Sequence, residues 1–227
     1  MALVHSPKIV TDNLILYLDA ANTKSYPGTG TEWKDLTGSH DSISLVNGPT
    51  HSTNNGGYFS FDGSNDFVGF PQINFAGTEI TAAIWTYGIN NNASSVIYFD
   101  NAAGNRVLNM HIPWSNNQVY FDKGGSSYDR INKAVTNAEY QGWHHWVFTA
   151  NSSTGSMKIY NDGVLWHSGT GKTNAMGNAD GGYKVLATNN AGQEYEGYIS
   201  IFQLYTNELS AAEVKQNFDA YKGRFGL

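Results

Sequence analysis

The chain has 227 residues, of which 14% are aromatic, 14% are charged and 25 are glycine, and its net charge is −6. This length suits one all-β domain with a sizeable core, because sandwiches and barrels of about 200–250 residues are common single units. The acidic balance, with no basic run, excludes the electrostatic footprint of a nucleic-acid-binding protein. The lack of cysteine excludes a disulfide framework, and the lack of a run of ~18 apolar residues argues against membrane insertion.

The first predicted strand is Leu14–Asp19, a mostly apolar run that ends in an acid. A turn-rich stretch from 20 to 57 follows it. Trp33 and Leu36 lie within this stretch, and we expect them to anchor it to the core, because a tryptophan seldom stays unused in solvent.

Residues 59–68 are the most informative segment of the chain. Phe59 and Phe61 have the spacing of a strand and lead into the acidic turn Asp62-Gly63-Ser64-Asn65-Asp66. A second strand is predicted at Phe67-Val68. Taken alone, the segment predicts a hairpin with several oxygen atoms at its tip.

Further strands are predicted where apolar or β-branched residues lie between turn signals. These segments are Ile80–Tyr87, Val96–Phe99, Arg106–Ile112, Gln118–Asp122, Trp143–Thr149, Met157–Tyr160, Val164–His167, Lys184–Ala187 and Tyr195–Tyr205. In Ile80–Tyr87 both alternating faces carry apolar groups, which is typical of a central strand covered on both sides. Asp162-Gly163 predicts a type I′ turn between two of these strands.

The C-terminal segment has a helical pattern. Ser210 and Glu213 have the spacing of a capping box, and Leu209 and Val214 occupy the hydrophobic staple positions. One short helix is therefore predicted after the last strand. Because no internal repeat or low-complexity linker interrupts the chain, residues 1–227 are predicted to form a single domain of the sandwich or jelly-roll type.

Several motifs in a fixed order carry a resemblance to a known family. They are Leu16-Tyr17-Leu18-Asp19-Ala20, Trp33-Lys34-Asp35-Leu36, Phe61-Asp62-Gly63-Ser64-Asn65-Asp66, Ile84-Trp85-Thr86, Trp143-His144-His145-Trp146, Tyr160-Asn161-Asp162-Gly163 and Gly197-Tyr198-Ile199-Ser200. Over nearly its whole length the chain resembles the laminin-G-like (pentraxin-like) branch of the concanavalin A-like lectin/glucanase superfamily. The resemblance implies an all-β, two-sheet antiparallel jelly-roll β-sandwich with one concave sheet.

The opening segments resemble a narrower group. Asp19–Asn22, Ser25–Gly30, Trp33–Leu36 and Asn47–Thr50 are similar to laminin-G-like domains in structural proteins of tailed phages, especially cyanophages. This resemblance implies a non-catalytic virion component that decorates a capsid, neck or tail. Other virion proteins, a host-surface glycan and further copies of the chain are the candidate partners. The lack of cysteine and of an apolar leader in residues 1–7 fits synthesis in a host cytoplasm, with a cell-surface or extracellular location as the alternative.

The acidic turn is a candidate calcium site. Asp62, Asn65 and Asp66 could supply three of the oxygen ligands that Ca²⁺ requires, with Asp19 and backbone carbonyls as additions. The family resemblance implies that such sites are frequent. The alternative is that these side chains only cap backbone groups of the turn.

A catalytic role is the third hypothesis for the chain. Glu194 and Glu196 lie on one face of a predicted strand, about 6–7 Å apart, which overlaps the carboxylate spacing of glycoside hydrolases. The glucanases of the superfamily carry Glu-x-Asp-x-x-Glu, which this sequence lacks, so no enzyme is predicted. His144 and His145 are neighbours on a strand and point to opposite faces, so they are not expected to bind one ion.

The second hypothesis is a free, lectin-like carbohydrate-binding module. Five aromatic residues are candidates for stacking on sugar rings, namely Trp114, Tyr120, Trp166, Tyr183 and Tyr195. A ring that stacks on a sugar must be exposed, and core packing is the alternative role for each of these residues.

Overall fold

A computed structural model describes residues 7–41, 43–73, 77–182, 184–188 and 192–227. Within these ranges the chain forms fifteen strands and two α-helices. The strands are β1 (Leu14–Asp19), β2 (Ser44–Val46), β3 (Thr50–Ser52), β4 (Tyr58–Asp62), β5 (Phe67–Gly69), β6 (Glu79–Gly88), β7 (Ile97–Asp100), β8 (Arg106–Trp114), β9 (Gln118–Lys123), β10 (Asp129–Ala134), β11 (Gly142–Asn151), β12 (Ser156–Asn161), β13 (Val164–Gly169), β14 (Lys184–Leu186) and β15 (Glu196–Tyr205). The helices are α1 (Asn137–Tyr140) and α2 (Ala211–Tyr221).

The strands form two antiparallel sheets. The first has the order β13-β12-β11-β6-β15-β4-β3, and β1 also pairs with β15. The second has the order β10-β9-β8-β7-β14-β5-β2. The prediction of a two-sheet antiparallel β-sandwich with one short C-terminal helix is confirmed, and the four-residue α1 is an addition to it.

Both faces of the first sheet are covered. In β6, Ile80 and Ile84 lie in the core between the two sheets, whereas Trp85 belongs to a separate apolar cluster on the outer face. The Trp85 ring stacks on Phe225 at 4.2 Å and on Phe218 of α2 at 5.8 Å. The C-terminal segment therefore closes the outer face of this sheet, as the two apolar faces of β6 predict.

Helix α2 begins as its sequence predicts. The Ser210 hydroxyl accepts a hydrogen bond from the Glu213 backbone N–H, and the Glu213 carboxylate accepts one from the Ser210 backbone N–H. Leu209 and Val214, the staple pair, are both buried. No helix in the described ranges is long and apolar enough to cross a membrane.

The acidic turn does not close a hairpin, and that prediction is wrong. Strand β4 pairs with β15 and β3 in the first sheet, whereas β5 pairs with β14 and β2 in the second. Because both edges of β4 already have neighbours, β5 cannot pair beside it. Residues 62–66 therefore carry the chain from one sheet to the other.

The turn-rich stretch from 20 to 57 contains two short strands, β2 and β3, which its sequence does not predict. Trp33 is fully buried and contacts Phe59 edge-on at 4.8 Å, so its predicted anchoring role is confirmed. Asp162 and Gly163 both have positive φ angles, of 50° and 78°, as the predicted type I′ turn requires.

Candidate functional site

The outer face of the second sheet carries polar and aromatic side chains. Met110 and Phe121 lie in the core. Since side chains alternate along a strand, His111, Tyr120 and Asp122 point away from the core, and His111 lies opposite Tyr120 in the β8–β9 register. This face is not covered by α2, which packs on the first sheet.

Two arginines bind one buried carboxylate on this face. Asp122 is fully buried, and its Oδ1 and Oδ2 accept hydrogen bonds from Arg130 Nε at 2.5 Å and Nη2 at 2.8 Å. Arg106 Nη1 donates a further bond to Oδ2 at 2.5 Å. We call Arg106, Asp122 and Arg130 the arginine clamp. The pKa of Arg130 is raised by its hydrogen bonds with Asp122. The clamp joins two guanidinium groups to one carboxylate.

Tyrosine rings flank the arginine clamp. The Arg106 guanidinium lies 4.6 Å from the Tyr128 ring centroid, and that of Arg130 lies 4.7 Å from Tyr120 and 5.4 Å from Tyr128. Tyr128 is 42% exposed, although its ring supports both cations. These contacts hold the guanidinium planes in place while leaving an aromatic surface open to solvent.

The His111 ring lies in contact with two of the predicted sugar-stacking residues. Its ring contacts Trp114 edge-on at 4.5 Å and Tyr120 at 5.8 Å. His111 Nδ1 donates to the Ser94 carbonyl at 2.7 Å and Nε2 accepts from the Asn109 amide at 3.1 Å, as a neutral imidazole does. Burial lowers the pKa of His111, which agrees with this neutral form. Trp114 and Tyr120 are both partly exposed and lie on the same face.

Side-chain amides extend the face beyond the rings. Asn116 donates to the Tyr120 hydroxyl at 2.8 Å, and Asn132 donates to Gln118 Oε1 at 3.0 Å. Asn116 and Asn132 are exposed. The face therefore combines aromatic rings, amides and two cations within strands β8 to β10.

The other predicted stacking residues lie elsewhere. Trp166 packs edge-on against Trp146 at 5.3 Å, and its indole N–H donates to Glu139 Oε1. Tyr195 is only 1% exposed and donates to the Tyr87 carbonyl, so its ring is closed to a sugar and the expectation for it is corrected. Tyr183 lies outside the described residues.

Sequence reasoning missed the arginine clamp and Tyr128. The strand that carries Arg130, β10, is mostly polar, and Ile131 is its one buried residue, so no apolar alternation marks it. A weaker signal lies in residues 118–122 and 128–132, where every second residue is polar or aromatic. These residues are Gln118, Tyr120 and Asp122 in the first segment and Tyr128, Arg130 and Asn132 in the second. Such a pattern suits a solvent-facing sheet surface.

The carboxylates of the acidic turn accept hydrogen bonds from backbone N–H groups. Asp62 Oδ1 accepts from the backbone N–H groups of Ser64 at 2.8 Å and Asn65 at 3.4 Å. Asp66 Oδ2 accepts from the Asp62 N–H at 3.3 Å, and burial together with the nearby Asp62 raises the pKa of Asp66. Asp19 is held by Arg224 at 2.8 Å. In the described ranges no three acidic or histidine side chains are grouped to hold a metal, and the calcium site stays a prediction.

One side chain of each predicted pair, Glu196 and His144, has a side-chain hydrogen-bond partner. Glu196 Oε2 accepts from Asn90 at 2.6 Å, and Glu194 lies just before β15. His145 is 1% exposed on the outer face of the first sheet. His144 Nδ1 is bonded to Asp162 at 2.7 Å.

Comparisons with known proteins agree with this fold. A family model, Laminin_G_3, described as the concanavalin A-like lectin/glucanases superfamily, matches residues 62–215. The binding domain of botulinum neurotoxin DC in complex with SialylT matches with a TM-score of 0.70 at 17% identity, covering 92% of this chain and 52% of that one. A second match is domain 4 of AbnA, a GH43 extracellular arabinanase from Geobacillus stearothermophilus, in complex with arabinotriose. Its TM-score is 0.64 at 14% identity, and the match covers 90% of this chain and 98% of that one.

The binding domain of Paraclostridial Mosquitocidal Protein 1 matches with a TM-score of 0.66 at 15% identity, covering 92% of this chain and 51% of that one. The chain thus spans about half the length of these toxin binding domains. No curated protein matches the sequence. The family match extends over more than half of the chain, and the chain belongs to the concanavalin A-like lectin/glucanases superfamily.

Proposed function

We propose that the protein is a non-catalytic carbohydrate-binding domain that binds a glycan on the outer face of the second sheet. One observation carries the proposal: Trp114, Tyr120 and Tyr128 lie on this face with accessible amides and arginines between them. Ligand sites commonly pair aromatic surface with a few placed polar groups. A sugar offers the matching chemistry, with apolar C–H faces for the rings and hydroxyls for the polar groups.

The structural neighbours support this proposal at the level of the fold. Domain 4 of AbnA is bound to arabinotriose and the botulinum neurotoxin DC domain to SialylT. Their identities of 14% and 17% transfer no ligand to this chain. The support from the chain itself is therefore the composition of the exposed face.

The proposal is tested with a glycan array, read with and without Ca²⁺. Trp114→Ala and Tyr128→Ala are expected to weaken binding roughly three- to tenfold, since each removes one stacking ring. Lys215→Ala is the control, because Lys215 is 60% exposed on α2, which packs on the other sheet. A wild-type protein that binds no glycan on the array would refute the proposal.

We further propose that the domain acts as a virion component of a tailed phage. Support comes from the similarity of its segments between 19 and 50 to laminin-G-like domains of phage structural proteins. Val164 and Leu165, which are 68% and 50% exposed on the edge strand β13, are the candidate contacts with a neighbouring virion protein or a second copy. A mass-spectrometric inventory of purified particles that lacks this chain would contradict the virion role.

A further inference from the structure

We propose that Arg106 and Arg130 form a subsite for an anionic group, a carboxylate or a sulfate ester, on an acidic glycan. This inference rests on the proposed function and names the class of glycan. It is carried by the hydrogen-bonding capacity, the exposure and the charge of the arginine clamp.

Most N–H donors of the clamp have no acceptor among the residues that the structure describes. Each guanidinium carries five N–H donors. In the described part of the chain, Arg130 donates two hydrogen bonds and Arg106 donates one, all of them to Asp122. The Arg130 side chain is 37% exposed and that of Arg106 is 31% exposed, whereas the Asp122 side chain is 0% exposed. The remaining donors are therefore directed away from the buried carboxylate, where a ligand can reach them.

Arg106 is not needed to neutralise or hydrogen-bond Asp122. Arg130 alone satisfies both oxygens of Asp122 in a bidentate geometry. Placing a second guanidinium on the same carboxylate adds repulsion between two cations, which a bound anion would relieve. The three side chains of the clamp together carry one net positive charge, on a chain whose net charge is −6. A planar fork of N–H groups matches the oxygens of a carboxylate or sulfate.

The clamp is arranged before any ligand binds. Asp122 fixes one side of each guanidinium, and the rings of Tyr120 and Tyr128 support their planes at 4.6–5.4 Å. Held side chains lose little conformational entropy on binding, so more of the interaction energy appears as affinity.

The neighbouring residues favour a glycan over an acidic peptide. Trp114 and Tyr120 present ring surface on the same face, and Asn116 and Asn132 present exposed amides. An acidic peptide needs only the cations, whereas a sugar acid uses the cations, the rings and the amides together.

The test compares matched polysaccharides that differ only in charge. Dextran is compared with dextran sulfate, and methyl-esterified polygalacturonate with polygalacturonate, by isothermal titration calorimetry on the full chain. At least one acidic form is expected to bind about tenfold or more tightly than its neutral counterpart, because hydrogen bonds to charged groups are the strong ones. The pair that shows the difference identifies the anion as a sulfate or a carboxylate.

The variant Arg106→Gln removes one cation while the bidentate Arg130–Asp122 pair keeps its bonds. It is expected to lose about tenfold in affinity for the acidic form and none for the neutral form. Lys215→Gln is the control, since it removes one charge from a 60% exposed side chain on α2, remote from the clamp. A thermal melt of each variant confirms that it is folded.

Four results would overturn the inference. Equal affinity for acidic and neutral forms would do so while the proposed glycan binding still stands. Binding to none of these polysaccharides would overturn the inference, and the glycan array would decide the proposed function separately. An equal loss in Lys215→Gln would indicate nonspecific charge attraction. Equal competition by poly-L-glutamate would assign the clamp to acidic peptides instead.

Discussion

Acidification is expected to destabilise the protein through one buried imidazole, that of His145. This ring is 1% exposed and stacks on Trp85 at 4.9 Å, with Phe218 of α2 at 6.2 Å. Neither ring nitrogen has a hydrogen-bond partner in the described part of the chain. The Asp162 carboxylate acts on it electrostatically, and that side chain is already bonded to the His145 backbone N–H and to His144.

The magnitude follows from the difference between the folded and unfolded states. Burial lowers the pKa of His145 from 6.5 to about 3, and Asp162 opposes this only in part. The unfolded chain therefore takes up the proton first, so the free energy of unfolding is fully present above about pH 6.5 and falls as the pH drops toward 3. The loss is about 1.4 kcal/mol per pH unit in this window, or about 2 kcal/mol between pH 7 and pH 5.

Urea unfolding of the wild type and of His145→Phe at pH 7, 6 and 5 measures this loss. Phenylalanine keeps a planar ring against Trp85 but carries no titrating nitrogen. The wild type is expected to lose about 2 kcal/mol more than the variant between pH 7 and pH 5. His167→Phe is the matched control, because His167 is only partly buried on β13 and should leave most of the wild-type slope.

Parallel pH profiles for the wild type and His145→Phe would refute the reasoning. They would mean that the imidazole is hydrated in the folded state, and hence that α2 does not seal the outer face of the first sheet.

Three further predictions concern single residues. Calcium binding by the acidic turn is tested by thermal melts with EDTA: the backbone contacts of Asp62 and Asp66 favour an unchanged melting temperature, whereas a Ca²⁺-dependent rise that is lost in Asp66→Ala would establish the site. Ser210→Ala removes the N-cap of α2 and is expected to lower the free energy of unfolding, measured in urea, by about 1 kcal/mol. An unchanged free energy of unfolding would mean that the Ser210 hydroxyl does not stabilise the helix. If the domain is non-catalytic, neither the wild type nor Glu196→Gln releases product from a polysaccharide panel, and a product that disappears in the variant would reveal an enzyme.

Local patterns predicted most of the elements of this fold. Apolar residues on both alternating faces located β6, apolar and β-branched segments between turn signals located β11 and β15, and the capping box of Ser210 and Glu213 located α2. These signals depend on neighbours along the chain. The pairing of the strands is harder to predict from the sequence. Residues 59–68 contain two strands, but which sheet each one joins depends on partners that lie far away in sequence.

The candidate site was predictable only in part, for the same reason. Trp114 and Tyr120 were identified by residue type, but their exposure, and the burial of Tyr195, depends on the packing of the whole sandwich. Arg106 and Arg130 meet at Asp122 only because β8, β9 and β10 are neighbours in one sheet. No spacing within the sequence encodes that meeting.

The position of β15 has a consequence for synthesis of the protein. This late strand lies between β6 on one side and β4 and β1 on the other. A ribosome therefore releases three early strands well before the strand that joins them, and their unpaired edges stay open to other chains in the meantime. The first sheet can be completed only after β15 has emerged, so the joining of its parts depends on contacts distant in sequence and is expected to be slow.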